Sequence, residues 1–211
     1  MTYTRAIGVT CDKIVRVIVR MLALSRIHPN ALTLIGLLIN VVAAVLLAQG
    51  NFWIAGWVII GAAIFDMVDG RVARETQQVT RFGGFFDSVL DRYSDLGLLM
   101  GLLVYYASIN RSFYVVLTAI VMTASVMISY TRARAENTIP KCKVGFMERP
   151  ERIVLFIIGA LFNRMAAVLW VIAILGNLTV VHRMIFTWQE ARRLEEAQLR
   201  GAEKRAQARV G

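Results

Sequence analysis

Runs of about twenty apolar residues recur along this 211-residue chain, and a run of that length crosses the hydrocarbon of a bilayer when it is helical. Backbone polar groups in lipid must be satisfied within the segment, so the pattern calls for helices rather than irregular structure. Six candidate spans are read, at 31–49, 52–70, 84–107, 113–131, 153–163 and 165–187, the fifth short and extended by its flanks. The fold class expected is an all-α integral membrane protein of six transmembrane helices, with an N-terminal amphipathic interfacial helix and a charged C-terminal helical tail. The first run follows an extended basic segment and has no small-residue cleavage site after it, so it reads as a retained helix rather than a signal peptide. Cys11 and Cys142 match no disulfide framework and receive no role.

An even number of crossings puts both termini on one side. All but Arg92, Arg111 and Arg164 of the 24 Lys and Arg residues fall in the termini or in the loops of that side. The positive-inside rule then makes both termini cytoplasmic and the protein a multi-pass component of the cytoplasmic membrane. The net charge of +10 is explained by topology, and no recognition module for nucleic acid is visible. Three segments follow. Residues 1–30 set Lys13, Arg16 and Arg20 against Ile14, Val17, Ile18, Met21 and Leu22, the pattern of a helix lying on anionic headgroups. Residues 31–188 form the membrane domain, and 189–211 a charged cytoplasmic tail.

Against this apolar background stand five aspartates, Asp66, Asp69, Asp87, Asp91 and Asp95, within or beside the cytoplasmic halves of spans two and three. A carboxylate at mid-bilayer costs roughly 2.5–3.5 kcal/mol, so a group of them needs partners or a wet cavity. Ion pairs with Arg71, Arg74, Arg81 and Arg92 are one solution. The spacing offers another. At about 100° per residue, Asp66, Asp69, Gly70 and Ala73 share one helix face, and Gly83, Asp87, Asp91 and Asp95 follow at every fourth position on the next span. Opposed, the two faces make a set of oxygen ligands suited to a hard divalent cation, with small residues leaving room for a ligand. Arg74 neutralises Glu75 or an interfacial lipid phosphate in the first solution; in the second it holds a diphosphate. A cation transporter would also place acids in the membrane, but it needs neither Arg74 nor the fixed glycines, and no inverted repeat is evident.

The pattern Asp66-x2-Asp69-Gly70-x2-Ala73-Arg74-x8-Gly83-x3-Asp87-x3-Asp91 resembles, at every position, the signature of the CDP-alcohol phosphatidyltransferase family. That resemblance implies a membrane enzyme that transfers a phosphatidyl group from CDP-diacylglycerol to an alcohol and releases CMP. It implies that Asp66, Asp69, Asp87 and Asp91 hold two Mg²⁺ or Mn²⁺ ions, with Asp91 as general base. Gly70, Ala73 and Gly83 would line the CDP moiety beside Asp66 and Asp69, and Arg74 would bind its diphosphate. A homodimer is implied too; the GxxxG pair Gly97 and Gly101 allows close helix approach, between chains or within one. Asp95 lies outside the signature and reads as a helix-pairing acid, and Arg71, at a free position, as a topology charge.

The stretch from Ser129 to Leu155 bears on the acceptor. Arg132 and Arg134 close span four, where basic residues complement the helix dipole. Arg149 and Arg152, with Pro150 in a first helical turn, stand at a helix start, which disfavours cations unless an anion is near. Either Glu148 pairs with Arg152 at i, i+4, or an anion is held there. The segments RARAE and ERPER are similar to those of bacterial phosphatidylinositol phosphate synthases, which implies an inositol phosphate acceptor bound by Arg132, Arg134, Arg149, Arg152 and Arg183. Glycerol 3-phosphate, giving phosphatidylglycerol phosphate, is the alternative acceptor.

Overall fold

Left-handed residues at helix ends divide the chain into hairpins. The computed structural model describes residues 29–75 and 79–207, apart from the side chains of Pro29, Asp69, Ala73, Glu75 and residues 201–206. Among the described residues six helices form: α1 (Pro29–Ala48), α2 (Phe52–Glu75), α3 (Arg81–Ser108), α4 (Ser112–Ala135), α5 (Arg149–Leu161) and α6 (Met165–Gln207). Gly50, Asn110 and Asn163 take φ of 79°, 56° and 53°, a conformation that glycine and asparagine enter most readily. The N–H groups that follow, on Asn51, Arg111 and Arg164, donate to the carbonyls of Leu46, Tyr106 and Gly159 at 2.9, 2.9 and 2.7 Å. These 6→1 bonds are Schellman closures, and they pair α1 with α2, α3 with α4, and α5 with α6 in tight antiparallel hairpins. All three turns lie at one end of the molecule; the longer α2–α3 and α4–α5 connections lie at the other.

Neighbouring helices form a closed circuit, α1–α3–α4–α6–α5–α2, returning to α1. Toward the tight turns its interior is filled by a single apolar cluster that includes Leu47, Ile59, Leu99, Val121, Phe156 and Leu169, one or more from every helix. The outer surface exposes Leu38, Val45, Trp57, Val116, Ile174 and Val181, the inside-out distribution expected when the solvent is lipid. Four helices, α1, α2, α4 and α6, are long and apolar enough to cross a membrane. The remaining two differ from the expected six spans for separate reasons. At 28 residues α3 has the length but carries its five charges within its first fifteen residues. Only 13 residues make up α5, about 20 Å against a hydrocarbon thickness of about 30 Å; it begins at Arg149, ahead of the run that marked it, and ends at Leu161. The charged tail is not a separate element, because α6 continues unbroken for 43 residues. The amphipathic segment expected over 1–30 falls, but for its last two residues, outside the described residues.

The GxxxG pair divides. A Cβ on Gly101 would meet the Ala44 carbonyl oxygen at 2.2 Å, so this glycine lets α3 lie against the α1 backbone within one chain, whereas a Cβ on Gly97 would enter open space. Gly101→Ala is therefore expected to lose about 1–3 kcal/mol by forcing two backbones apart. Gly97→Ala should leave thermal unfolding in detergent unchanged. Equal melting of the two variants would contradict the contact.

Candidate active site

Helix starts and small residues aim the charged side chains inward. Thr80 caps α3 by accepting the Gly83 N–H at 2.9 Å, the preferred chemistry for a helix start, and this sets the register of the stripe that runs from Gly83 through Asp87 and Asp91 to Asp95. Gly83 stands between Thr80 and Asn30 of α1, with a Cβ there coming within 3.0 and 3.4 Å of their side-chain oxygens. On α2, Asp66 faces Gly36 of α1, where even a Cβ would only come into van der Waals contact with its Oδ1, at 3.8 Å. A Cβ on Gly70 would meet nothing within 4 Å, so the backbone there is open to a ligand. Arg74 is exposed beside it; the side chains of Asp69 and Ala73 lie outside the described residues.

The first turn of α5 supplies the countercharge. Arg149 Nη1 pairs with Asp66 and with Asp91, the latter at 3.0 Å, and its Nε lies 3.5 Å from Asp95 Oδ1. Arg152 bonds the other oxygen of Asp95. With side-chain exposures of 3% and 8%, Arg152 and Asp95 form a buried pair that spans the circuit between α3 and α5, two helices whose backbones do not neighbour one another. Asp95 is thus the helix-pairing acid its place outside the signature predicted. Arg92, in contrast, reaches Asp91 only at 3.9 Å and is spent on the Ser88 carbonyl.

The five arginines read as an acceptor site do not form one group. Arg149 and Arg152 face the aspartates. Arg132 and Arg183 share Glu148, at 3.2 and 3.1 Å, while Arg132 also bonds Glu136 at 3.3 Å. Arg183, buried on α6, donates in addition to the carbonyls of Val144, at 2.8 Å, and Ile128. Arg134 is exposed in a groove with Thr138, Thr187 and Trp188. Of the two solutions open at this helix start, the i, i+4 bond between the Glu148 and Arg152 side chains does not form: each finds a partner on a distant helix, because Glu148 precedes the first turn and Arg152 points into the bundle. What joins the two sets is the adjacency of Glu148 and Arg149 at the start of α5, with Pro150 in its first turn as expected. Beside this point a groove of about 390 Å³ runs between α2 and α5, walled by Ile59, Ala63, Ile153, Val154 and Ile157 and carrying Asp66 and Arg149 as its charged groups.

The sequence pattern stops short at two residues in different ways. Asp95 was visible as the next step of the stripe, but its partner was not. Thr179, buried on α6 against the α4–α5 loop, carries no signal in a run of apolar residues.

The family description "CDP-alcohol phosphatidyltransferase" matches residues 26–189, which takes in α1 to α5 and the apolar part of α6. The chain belongs to the CDP-alcohol phosphatidyltransferase family. Like the rest of that family this transferase is an enzyme, and its signature residues lie on α2 and α3. It is 37% identical to the archaetidylinositol phosphate synthase of Pyrococcus horikoshii over 80% of this chain and 86% of that one. Among solved structures it resembles the phosphatidylinositol phosphate synthase of Mycobacterium tuberculosis with CDP-DAG bound, with a TM-score of 0.77 and 31% identity over 83% of this chain and 94% of that one. The same protein in complex with manganese and citrate matches at a TM-score of 0.75 and 32% identity, over 81% and 87% of the two chains.

Proposed function

We propose that this phosphatidyltransferase moves the phosphatidyl group of CDP-diacylglycerol to a hydroxyl of inositol phosphate, giving phosphatidylinositol phosphate and CMP. The observation that carries the reading is the convergence of Asp66 and Asp91, from two different helices, on one guanidinium nitrogen of Arg149, in a chain similar over about four fifths of its length to archaetidylinositol and phosphatidylinositol phosphate synthases. Oxygens gathered so tightly demand positive charge between them. Among the described residues no three acidic, His or Cys side chains are already grouped as a metal site, and Asp69 lies outside that count. The donor set itself, Asp66, Asp69, Asp87 and Asp91, is all carboxylate and fits two Mg²⁺ or Mn²⁺ ions, a fit consistent with the manganese complex of the Mycobacterium relative. When bound, such ions neutralise the diphosphate and the departing CMP.

The chain's own residues do the rest. Asp91 accepts the proton of the acceptor hydroxyl, whose oxygen bonds to the lipid-bearing phosphorus as the bond from that phosphorus to the CMP oxygen breaks. Gly70, Ala73 and Gly83 admit the cytidine nucleotide close to the backbone, with Arg74 on its diphosphate. An acyl chain occupies the groove between α2 and α5. Arg132, Arg134, Arg149, Arg152 and Arg183 bind the acceptor phosphate, directly or by setting one another's positions. The domain spans 31–188, α3 and α5 complete six crossings, and the basic end faces the cytoplasm with both termini; two copies associate as a homodimer.

The test is CMP release from CDP-diacylglycerol by purified protein with Mg²⁺ or Mn²⁺, across inositol phosphate, free inositol, glycerol 3-phosphate and serine. Inositol phosphate should give the highest kcat/KM, and EDTA should reduce release to background. Preference for free inositol would remove the arginine pocket; preference for glycerol 3-phosphate would change the acceptor. Metal flux into vesicles with no CMP from any alcohol would replace the enzyme with a transporter.

A further inference from the structure

Nothing in the signature explains how the start of α5 is held at the aspartates. The thirteen residues between α4 and α5, 136–148, contain no helix or strand, yet Arg149 must point at Asp66 and Asp91 while Glu148 points at Arg132 and Arg183. Arg183 holds the Val144 carbonyl and, with Arg132, Glu148; between those points the backbone N–H groups are held by another side chain. Thr179 on α6 is fully buried. Its hydroxyl donates to the Leu175 carbonyl at 2.8 Å and accepts the backbone N–H groups of Phe146 and Met147, each at 3.2 Å. A threonine hydroxyl has one proton and two lone pairs, so all of its capacity is used. Threonine within a helix usually satisfies itself on the carbonyl four residues back; here the same oxygen also receives two donors from another segment. Its methyl group closes the contact from below, since a Cβ on Gly145, at φ 123°, would come within 2.5 Å of Thr179 Cγ2. One turn of α6 further on, the Phe146 ring stacks on His182 with centroids 5.8 Å apart.

We propose that Thr179 is a positioning residue for the acceptor side of the reaction: it clamps Phe146 and Met147 to α6 and thereby sets where Glu148 and Arg149 enter the site. The proposal rests on the reading of the α4–α6 arginines as the acceptor pocket. Thr179 has no direct contact with α2 or α3; the clamp reaches those donor-binding helices only through Arg149, so the acceptor side is the more strongly affected. Losing the hydroxyl frees the loop end, and a displacement of about 1 Å in a positioning group is enough to cost about a hundredfold in rate.

Thr179→Val keeps the shape and removes the hydroxyl; Thr179→Ser keeps the hydroxyl. With full-length protein in nanodiscs, Thr179→Val is expected to lower kcat/KM for inositol phosphate by about tenfold to a hundredfold, mostly through KM, leaving the KM for CDP-diacylglycerol within about twofold. Thr179→Ser should recover to within about threefold of wild type. Backbone amides of 144–148 should exchange with deuterium faster in Thr179→Val and not in Thr179→Ser. Unchanged acceptor KM, equal loss for both substrates, or unchanged exchange would each overturn the proposal. Should Thr179→Val fail to fold, Gly145→Ala displaces the same loop from the opposite side, and the same acceptor-selective loss is required of it. If wild type prefers another alcohol, the acceptor assignment fails by itself; the KM comparison is then made with that alcohol, and the exchange measurement, which needs no acceptor, still decides on Thr179.

Discussion

Asp91→Asn is expected to lower CMP release by about a thousandfold or more, within the range that a positioned general base contributes, while CDP-diacylglycerol still binds. Asparagine keeps the shape of the side chain and its place beside Arg149, 3.0 Å from Asp91 Oδ1 in the parent, but it cannot take the proton of the incoming hydroxyl. Donor contacts from Gly70, Arg74 and Gly83 are untouched by the change. The measurement is CMP release at saturating donor and acceptor, set beside thermal protection of the variant by CDP-diacylglycerol. A variant that turns over normally would remove Asp91 from the base role; one that also loses all donor protection would place it mainly among the groups that hold the metal-bound nucleotide.

The second large effect concerns stability. Asp95→Ala leaves the Arg152 guanidinium buried opposite no carboxylate, and breaking a buried pair in this way costs about 3–5 kcal/mol. For a domain of this size that amounts to a fall in Tm on the order of 10 °C. Replacing both partners, as Asp95→Leu with Arg152→Met, removes the uncompensated charge and is expected to restore most of the loss. Activity should not return with stability, because Arg149 also leans on Asp95 and would lose one of its three carboxylates. A double variant no more stable than Asp95→Ala would show that packing at this position, rather than charge, dominates.

How much of this was legible beforehand depends on the range of the interaction. The apolar runs mark α1, α2, α4 and α6 because solvation by lipid acts on each segment independently. The acid-and-glycine spacing locates Asp66, Asp87 and Asp91 because a helix has a fixed period. Partner choice was not legible. Glu148 and Arg152 look like a pair along the chain, yet each side chain reaches across the bundle to a partner on another helix, and the sequence of α5 does not record which helices lie opposite it. For the same reason Thr179 could not be distinguished from any other small residue in an apolar helix. The split of Gly97 and Gly101 likewise depends on where α1 lies.

The shortness of α5 has a consequence for how deep the chemistry sits. Measured from the tight turns at about 1.5 Å per residue, Arg149, Asp66 and Asp95 all stand about 20 Å along their helices, and Asp91 about one turn farther. With those turns at one face of a hydrocarbon layer about 30 Å thick, the charged tier lies about a third of the layer below the opposite face. If α5 is a crossing, a helix that ends so early would thin the bilayer beside it and let water and headgroups sink to its level. A phospholipid arriving there would then not have to be lifted toward the aqueous phase for its phosphate to reach the carboxylates, because the membrane surface would be depressed to the same height.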